Sequence, residues 1–111
     1  NLGCDTMMSF DGLSTVHEIV MNRPNLIVLD WMMPDITGGE AIMRAQQAML
    51  LDYPEMIRSI NEKIPVVTFS AHPLSKLHRP DCPNFEYLDH WEKPLDFSTL
   101  TRRAVKLMNN L

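Results

Sequence analysis

Three polar residues each stand just past an apolar run. Asp30 follows Leu26-Ile27-Val28-Leu29, Ser70 follows Val66-Val67-Thr68-Phe69, and Lys93 follows the stretch Phe85 to Trp91 and precedes Pro94. A carboxylate, a hydroxyl and an ammonium brought to one place suit a small anion. The carboxylate can act as nucleophile. The ammonium can pair with a phosphoryl oxygen, and the hydroxyl can donate to another. A divalent cation would offset the joint charge of carboxylate and phosphate. Each residue also has a plainer reading: a carboxylate capping a loop, a serine satisfying a neighbouring backbone group, a lysine on the surface before a turn.

The elements that must position these groups alternate between extended and helical. Cys4 to Phe10 reads as a strand, and Asp11-Gly12 as a turn. A helix follows from about Leu13 to Asn22, with Val16, Ile19 and Val20 on one face, and Pro24 stops it. Leu26 to Leu29 suits a strand buried on both faces. Trp31 to Gly39 is a loop. A helix from about Glu40 to Leu51 carries a stripe of Ile42, Ala45, Met49 and Leu50. Pro54 can open an extra helix ending near Lys63, so that about 52–63 is an added helical segment. Ile64 to Phe69 is a strand, β-branched and apolar. Pro73, Pro80 and Pro83 leave room for about two helical turns between Leu74 and Arg79, at ~3.6 residues per turn. Phe85 to Trp91 is a strand. Asp96 is placed to cap a terminal helix bearing Phe97, Leu100, Ala104, Leu107 and Met108. Strands and helices in alternation predict an α/β sheet, mostly parallel, with its chemistry at the carboxyl ends of the strands.

Composition narrows the function classes. The chain has 111 residues, 45% hydrophobic and 22% charged, the balance of a single globular domain. The net charge of −4 and the scattered basic residues argue against a nucleic-acid footprint. No apolar run approaches the ~18 residues of a membrane span. Cys4 and Cys82 lack metal or redox spacing and read as reduced thiols of a cytoplasmic protein. His17, His72 and His78 have no ligand-spaced partners and read as structural or solvated. Most of the nine methionines fall at apolar positions, where they would fill core gaps.

Asp30-Trp31-Met32-Met33-Pro34-Asp35-Ile36-Thr37-Gly38 resembles the phosphoacceptor loop of response-regulator receiver domains, D-x-x-M-P-x-x-x-G. Pro65-Val66-Val67-Thr68-Phe69-Ser70-Ala71 resembles the family's fourth strand with its Thr/Ser-Ala switch, and Glu92-Lys93-Pro94-Leu95 its Lys-Pro turn. The motifs stand in family order and span nearly the whole chain, 1–111. The resemblance implies a flavodoxin-like, doubly wound parallel sheet of strand order 2-1-3-4-5. It implies a two-component signalling domain rather than an enzyme. Asp30 would accept a phosphoryl group from a histidine kinase or phosphotransfer protein, as in a phosphorelay. Lys93 would pair with the phosphorylated aspartate, and Ser70 would supply the switch hydroxyl. His90 stands where the family carries its rotating aromatic. Lys93-Pro94 would be cis. A homodimer is compatible with the reading, and neither nucleic acid nor a membrane is expected as partner.

The resemblance departs at the start. The family's first strand, which ends in the acidic pair that holds Mg²⁺, and its first helix have no counterpart. The segment from Cys4 to Gly12 already matches the second strand and its turn, so Asp5 and Asp11 are not metal ligands. Only Asp30 and the Met32 backbone carbonyl match ligand positions, and two protein ligands would bind Mg²⁺ weakly. The missing unit is expected in the parent protein, because without it the second strand loses its neighbour. The Pro-rich His72 to Asn84 segment shortens the fourth helix. A pseudo-receiver that binds without phosphotransfer is the alternative. A phosphohydrolase of the haloacid-dehalogenase type would need a second Asp where Met32 stands.

Overall fold

All five residues of Leu26–Asp30 are buried, as a strand covered on both faces requires. A computed structural model describes residues 6–9, 11–52 and 63–110. Its elements are β1 (Thr6–Ser9), α1 (Gly12–Asn22), β2 (Leu26–Asp30), α2 (Gly38–Asp52), β3 (Ile64–Ser70), β4 (Phe85–Glu92) and α3 (Phe97–Met108). The anticipated helix from Pro54 to Lys63 falls largely outside the described residues, as does Cys4. Cys82 is a buried free thiol, and burial raises its pKa.

The four strands form one parallel sheet in the order β1-β2-β3-β4. The succession agrees with the expected order 2-1-3-4-5 with its first strand left out, but the gap expected beside the strand at Thr6–Ser9 is corrected. β1 pairs directly with β2, from Thr6 opposite Leu26 to Ser9 opposite Leu29, so the strand expected to lose its neighbour has one in β2. Side chains alternate along a strand and sort the core into two layers. Ile27, Leu29 and Val66 join Ile19 and Val20 of α1 and Ile42, Ala45 and Met49 of α2. On the other face, Leu26, Val28, Val67 and Phe69 pack with Trp91 of β4 and Leu100 and Ala104 of α3.

Helix ends follow their local chemistry. Arg23 closes α1 in the left-handed conformation at φ 43°, and its N–H donates to the Ile19 carbonyl before Pro24. Asp96 caps α3 as anticipated, accepting from the Thr99 N–H at 2.7 Å. Three expectations of burial need correction. Leu50 of α2 is 48% exposed and Phe97 of α3 67% exposed, because each lies on the far side of its helix from the sheet. Met21, Met32 and Met43 are also exposed, so only some methionines fill the core. The two anticipated helical turns after Pro73 shrink to one 3-10 turn, Leu74–Lys76, which ends where Leu77 turns extended.

One irregularity shapes β4. Tyr87 pairs with Val66 but Asp89 pairs with Val67, so Leu88 is an extra residue in the strand. Before it, Phe85 and Tyr87 face the α1–α2 layer. After it, Trp91 faces the α3 layer and His90 stands opposite Thr68.

A buried amide pair fixes α2 against the start of β4. The Gln46 side-chain amide donates to Asn84 Oδ1 at 2.9 Å, and the Asn84 N–H donates to Gln46 Oε1 at 3.0 Å. The Asn84 carbonyl in turn accepts from the Ile64 N–H at 2.8 Å. Replacing Gln46 by Leu removes two of these bonds while keeping the volume. We expect a loss of about 1–3 kcal/mol, read by urea denaturation, since buried polar groups lose their partners.

Candidate functional site

The carboxyl ends of β2, β3 and β4 lie side by side, and the residues singled out by sequence gather there. Asp30 ends β2 and is 8% exposed. Ser70 ends β3 and is fully buried. Lys93 follows β4 immediately. Its Nζ donates to Asp30 Oδ1 at 3.0 Å and to Oδ2 at 3.1 Å. The ammonium also lies 5.3 Å from the centroid of the Phe69 ring, within cation–π range. Lys93 is held there by its own backbone, whose N–H donates to the Ser70 carbonyl at 2.7 Å. The Lys93-Pro94 peptide is cis, as the resemblance implied.

The loop after Asp30 is built around Trp31. The Trp31 N–H donates to the Phe69 carbonyl at 3.0 Å, and the Trp31 carbonyl accepts from the Gly38 N–H at 2.8 Å. A β-carbon at Gly38 would stand 2.8 Å from the indole, so glycine is required where α2 begins. Met32 and Thr37 form an isolated antiparallel bridge across the base of the loop. The Met32 N–H donates to Asp30 Oδ1 at 3.1 Å. Asp30 thus accepts from one ammonium and one backbone amide.

Ser70 does not join this pair. Its hydroxyl oxygen accepts from the His72 N–H at 3.0 Å. His90 binds the same residue from the other side, its Nε2 lying 2.9 Å from the His72 carbonyl. A carbonyl only accepts, so Nε2 carries a proton. In the neutral ring Nδ1 then accepts from the Thr68 hydroxyl, 2.8 Å away. Ser70 and His90 therefore belong to a second network, Thr68–His90–His72–Ser70, beside the Asp30–Lys93 pair. Sequence reading missed Thr68 and the role of the His72 backbone. It could not find the first without the Leu88 bulge, which sets the His90 register.

Asp30 and the Met32 carbonyl are the only matched metal-ligand positions, and both Asp30 oxygens already face Lys93. Among the described residues no group of three or more His, Cys, Asp or Glu is placed to hold a metal ion. These donors do not make a Mg²⁺ site, which calls for six oxygens in octahedral array. Among those residues no helix is long and apolar enough to cross a membrane.

The ion pair is asymmetric. The Asp30 side chain is 12% exposed and that of Lys93 34%. An orphaned ammonium can turn to water, whereas an orphaned carboxylate stays enclosed. Lys93→Met is therefore expected to cost about 1–3 kcal/mol, the range for losing a charged hydrogen bond. Asp30→Asn should stay within about 1 kcal/mol of wild type, near the range of exposed pairs. Thermal unfolding of the two variants checks the order.

No protein-family model matches the chain, and no curated protein matches it. Solved structures do. A response regulator receiver domain (CheY-like) from Methylobacillus flagellatus superposes with a TM-score of 0.53 at 17% identity, over 88% of this chain and 72% of that one. A signal receiver domain from Vibrio parahaemolyticus gives 0.51 at 18% identity, over 92% and 68%. Most of the chain therefore has the CheY-like fold of response-regulator receiver domains.

Proposed function

We propose that the chain is a phosphoacceptor receiver domain of two-component signalling, with Asp30 as the phosphorylated residue. The observation that supports this most is the placement of one lysine ammonium within 3.1 Å of both oxygens of an enclosed aspartate at a strand end. A carboxylate oxygen of Asp30 attacks the phosphorus of a phosphorylated donor. The bond from phosphorus to the donor's leaving atom breaks, and an acyl phosphate forms. The donor in the cell is a histidine kinase or a phosphotransfer protein. Lys93 offsets the charge of carboxylate and incoming phosphoryl group together. The site's compartment is the cytoplasm, where such donors act.

The second network supplies the response. Ser70 accepts a hydrogen bond from His72 and keeps its own proton for a new acceptor. A phosphoryl oxygen on Asp30 offers one. Recruiting Ser70 loosens its hold on His72, which His90 also grips. The added charge thereby biases a two-state segment and alters partner contacts. The domain signals rather than turning over a substrate.

One observation favours a second reading. The described residues lack an acidic cluster for a metal ion, as a pseudo-receiver that only binds partners would. Incubation with acetyl phosphate and Mg²⁺, followed by intact mass, separates the two. A phosphoryl adduct on wild type and none on Asp30→Asn is the expected result. A folded wild type without adduct would leave the pseudo-receiver.

A further inference from the structure

The tip of the Asp30 loop is fastened to a helix far away in sequence. Asp35 Oδ1 accepts from the Gly12 N–H at 2.9 Å, and Oδ2 accepts from the Leu13 N–H at 2.9 Å. Oδ1 also accepts from the Ile36 N–H at 2.9 Å. Gly12 and Leu13 open α1, where N–H groups lack partners within the helix. The residue placed to cap them, Asp11, makes no side-chain cap and takes the Ser14 hydroxyl instead. The cap of α1 thus comes from the loop after β2. The fit is close: a β-carbon on Gly12 would collide with the Ile36 side chain and lie 3.0 Å from Asp35 Oδ1.

The loop has a fixed base and a fixed tip. Its base is the bond from the Gly38 N–H to the Trp31 carbonyl. Its tip is Asp35. Between them, Met32 bridges Thr37 and presents its N–H to Asp30. Freed at the tip, the loop can pivot on its base and carry the Met32 amide off the carboxylate.

We infer that Asp35 is a positioning residue for phosphotransfer, holding the Met32 amide against Asp30 by capping α1. This rests on the phosphoacceptor function proposed above. Backbone N–H donors, Leu13 foremost, also hold the Asp35 carboxyl well below the usual carboxylate range. A group with a lowered folded pKa stabilises the fold above its unfolded value, about 3.9, and that support is lost as pH falls through the folded value. The anchor is therefore fully charged at neutral pH.

The test compares wild type, Asp35→Ala, Asp35→Asn and Ala104→Gly. The last weakens α3 on the opposite face of the sheet and controls for lost stability alone. Rates of labelling by acetyl phosphate are read by intact mass below every melting temperature. Amide hydrogen exchange is read without donor. Asp35→Ala should label about tenfold more slowly, given the sensitivity of reaction rates to small misplacements. Asp35→Asn, which keeps one acceptor oxygen, should fall between Asp35→Ala and wild type. Ala104→Gly should stay within about twofold of wild type. Protection of the Gly12, Leu13 and Met32 amides should fall in Asp35→Ala and persist in Ala104→Gly. Labelling of Asp35→Ala at the wild-type rate, or slowing matched by Ala104→Gly with Met32 still protected, would overturn the role while leaving the function intact. A wild type that takes no label overturns the function and the role with it.

Discussion

A carboxylate enclosed at the end of a buried strand calls for partners that replace the water it has lost. Asp30 is in that position, and Lys93 meets it from 63 residues further along the chain. The two residues leave strands that are not neighbours, for β3 lies between them. The ion pair is possible only because all strands run in one direction and end at one edge. Much else serves that alignment. The Lys93 N–H is tied to the Ser70 carbonyl, and the Trp31 N–H to the Phe69 carbonyl, so the segments leaving β2 and β4 are both stitched to the end of β3.

The second constraint is the extra residue in β4. Strict alternation from Phe85 would send Trp91 to the same face as Tyr87. The Leu88 bulge reverses the sense, so Trp91 reaches the α3 layer and His90 reaches Thr68. A single inserted residue therefore serves the core on one face and the Thr68–His90 network on the other. That network, and not the ion pair, holds Ser70 in the present arrangement.

The sequence carried the element order well because its signals were local. Pro24 marks a helix end, Asp96 a helix start, and the Leu26–Leu29 run a buried strand. The motifs at Asp30–Gly38, Pro65–Ala71 and Glu92–Leu95 were legible, and Asp30 and Lys93 do meet. What stayed hidden was non-local. Nothing near Asp35 announces that its partners are Gly12 and Leu13, and nothing near Leu88 announces a bulge. Periodicity also overreached at Leu50 and Phe97, where an apolar residue lies outside the buried arc of its helix. The pairing of β1 with β2 was missed for another reason: the resemblance places a further strand between them, while pairing follows from which strand edge is open.

The central claim is that Asp30, among all the aspartates, carries the phosphoryl group. Borohydride reduces an aspartyl phosphate to homoserine at the residue that bore it. The protein would be exposed to acetyl phosphate, reduced, digested and sequenced by mass spectrometry. The account predicts homoserine at position 30 and at no other aspartate. Homoserine at another position, or none from a folded protein, would contradict it.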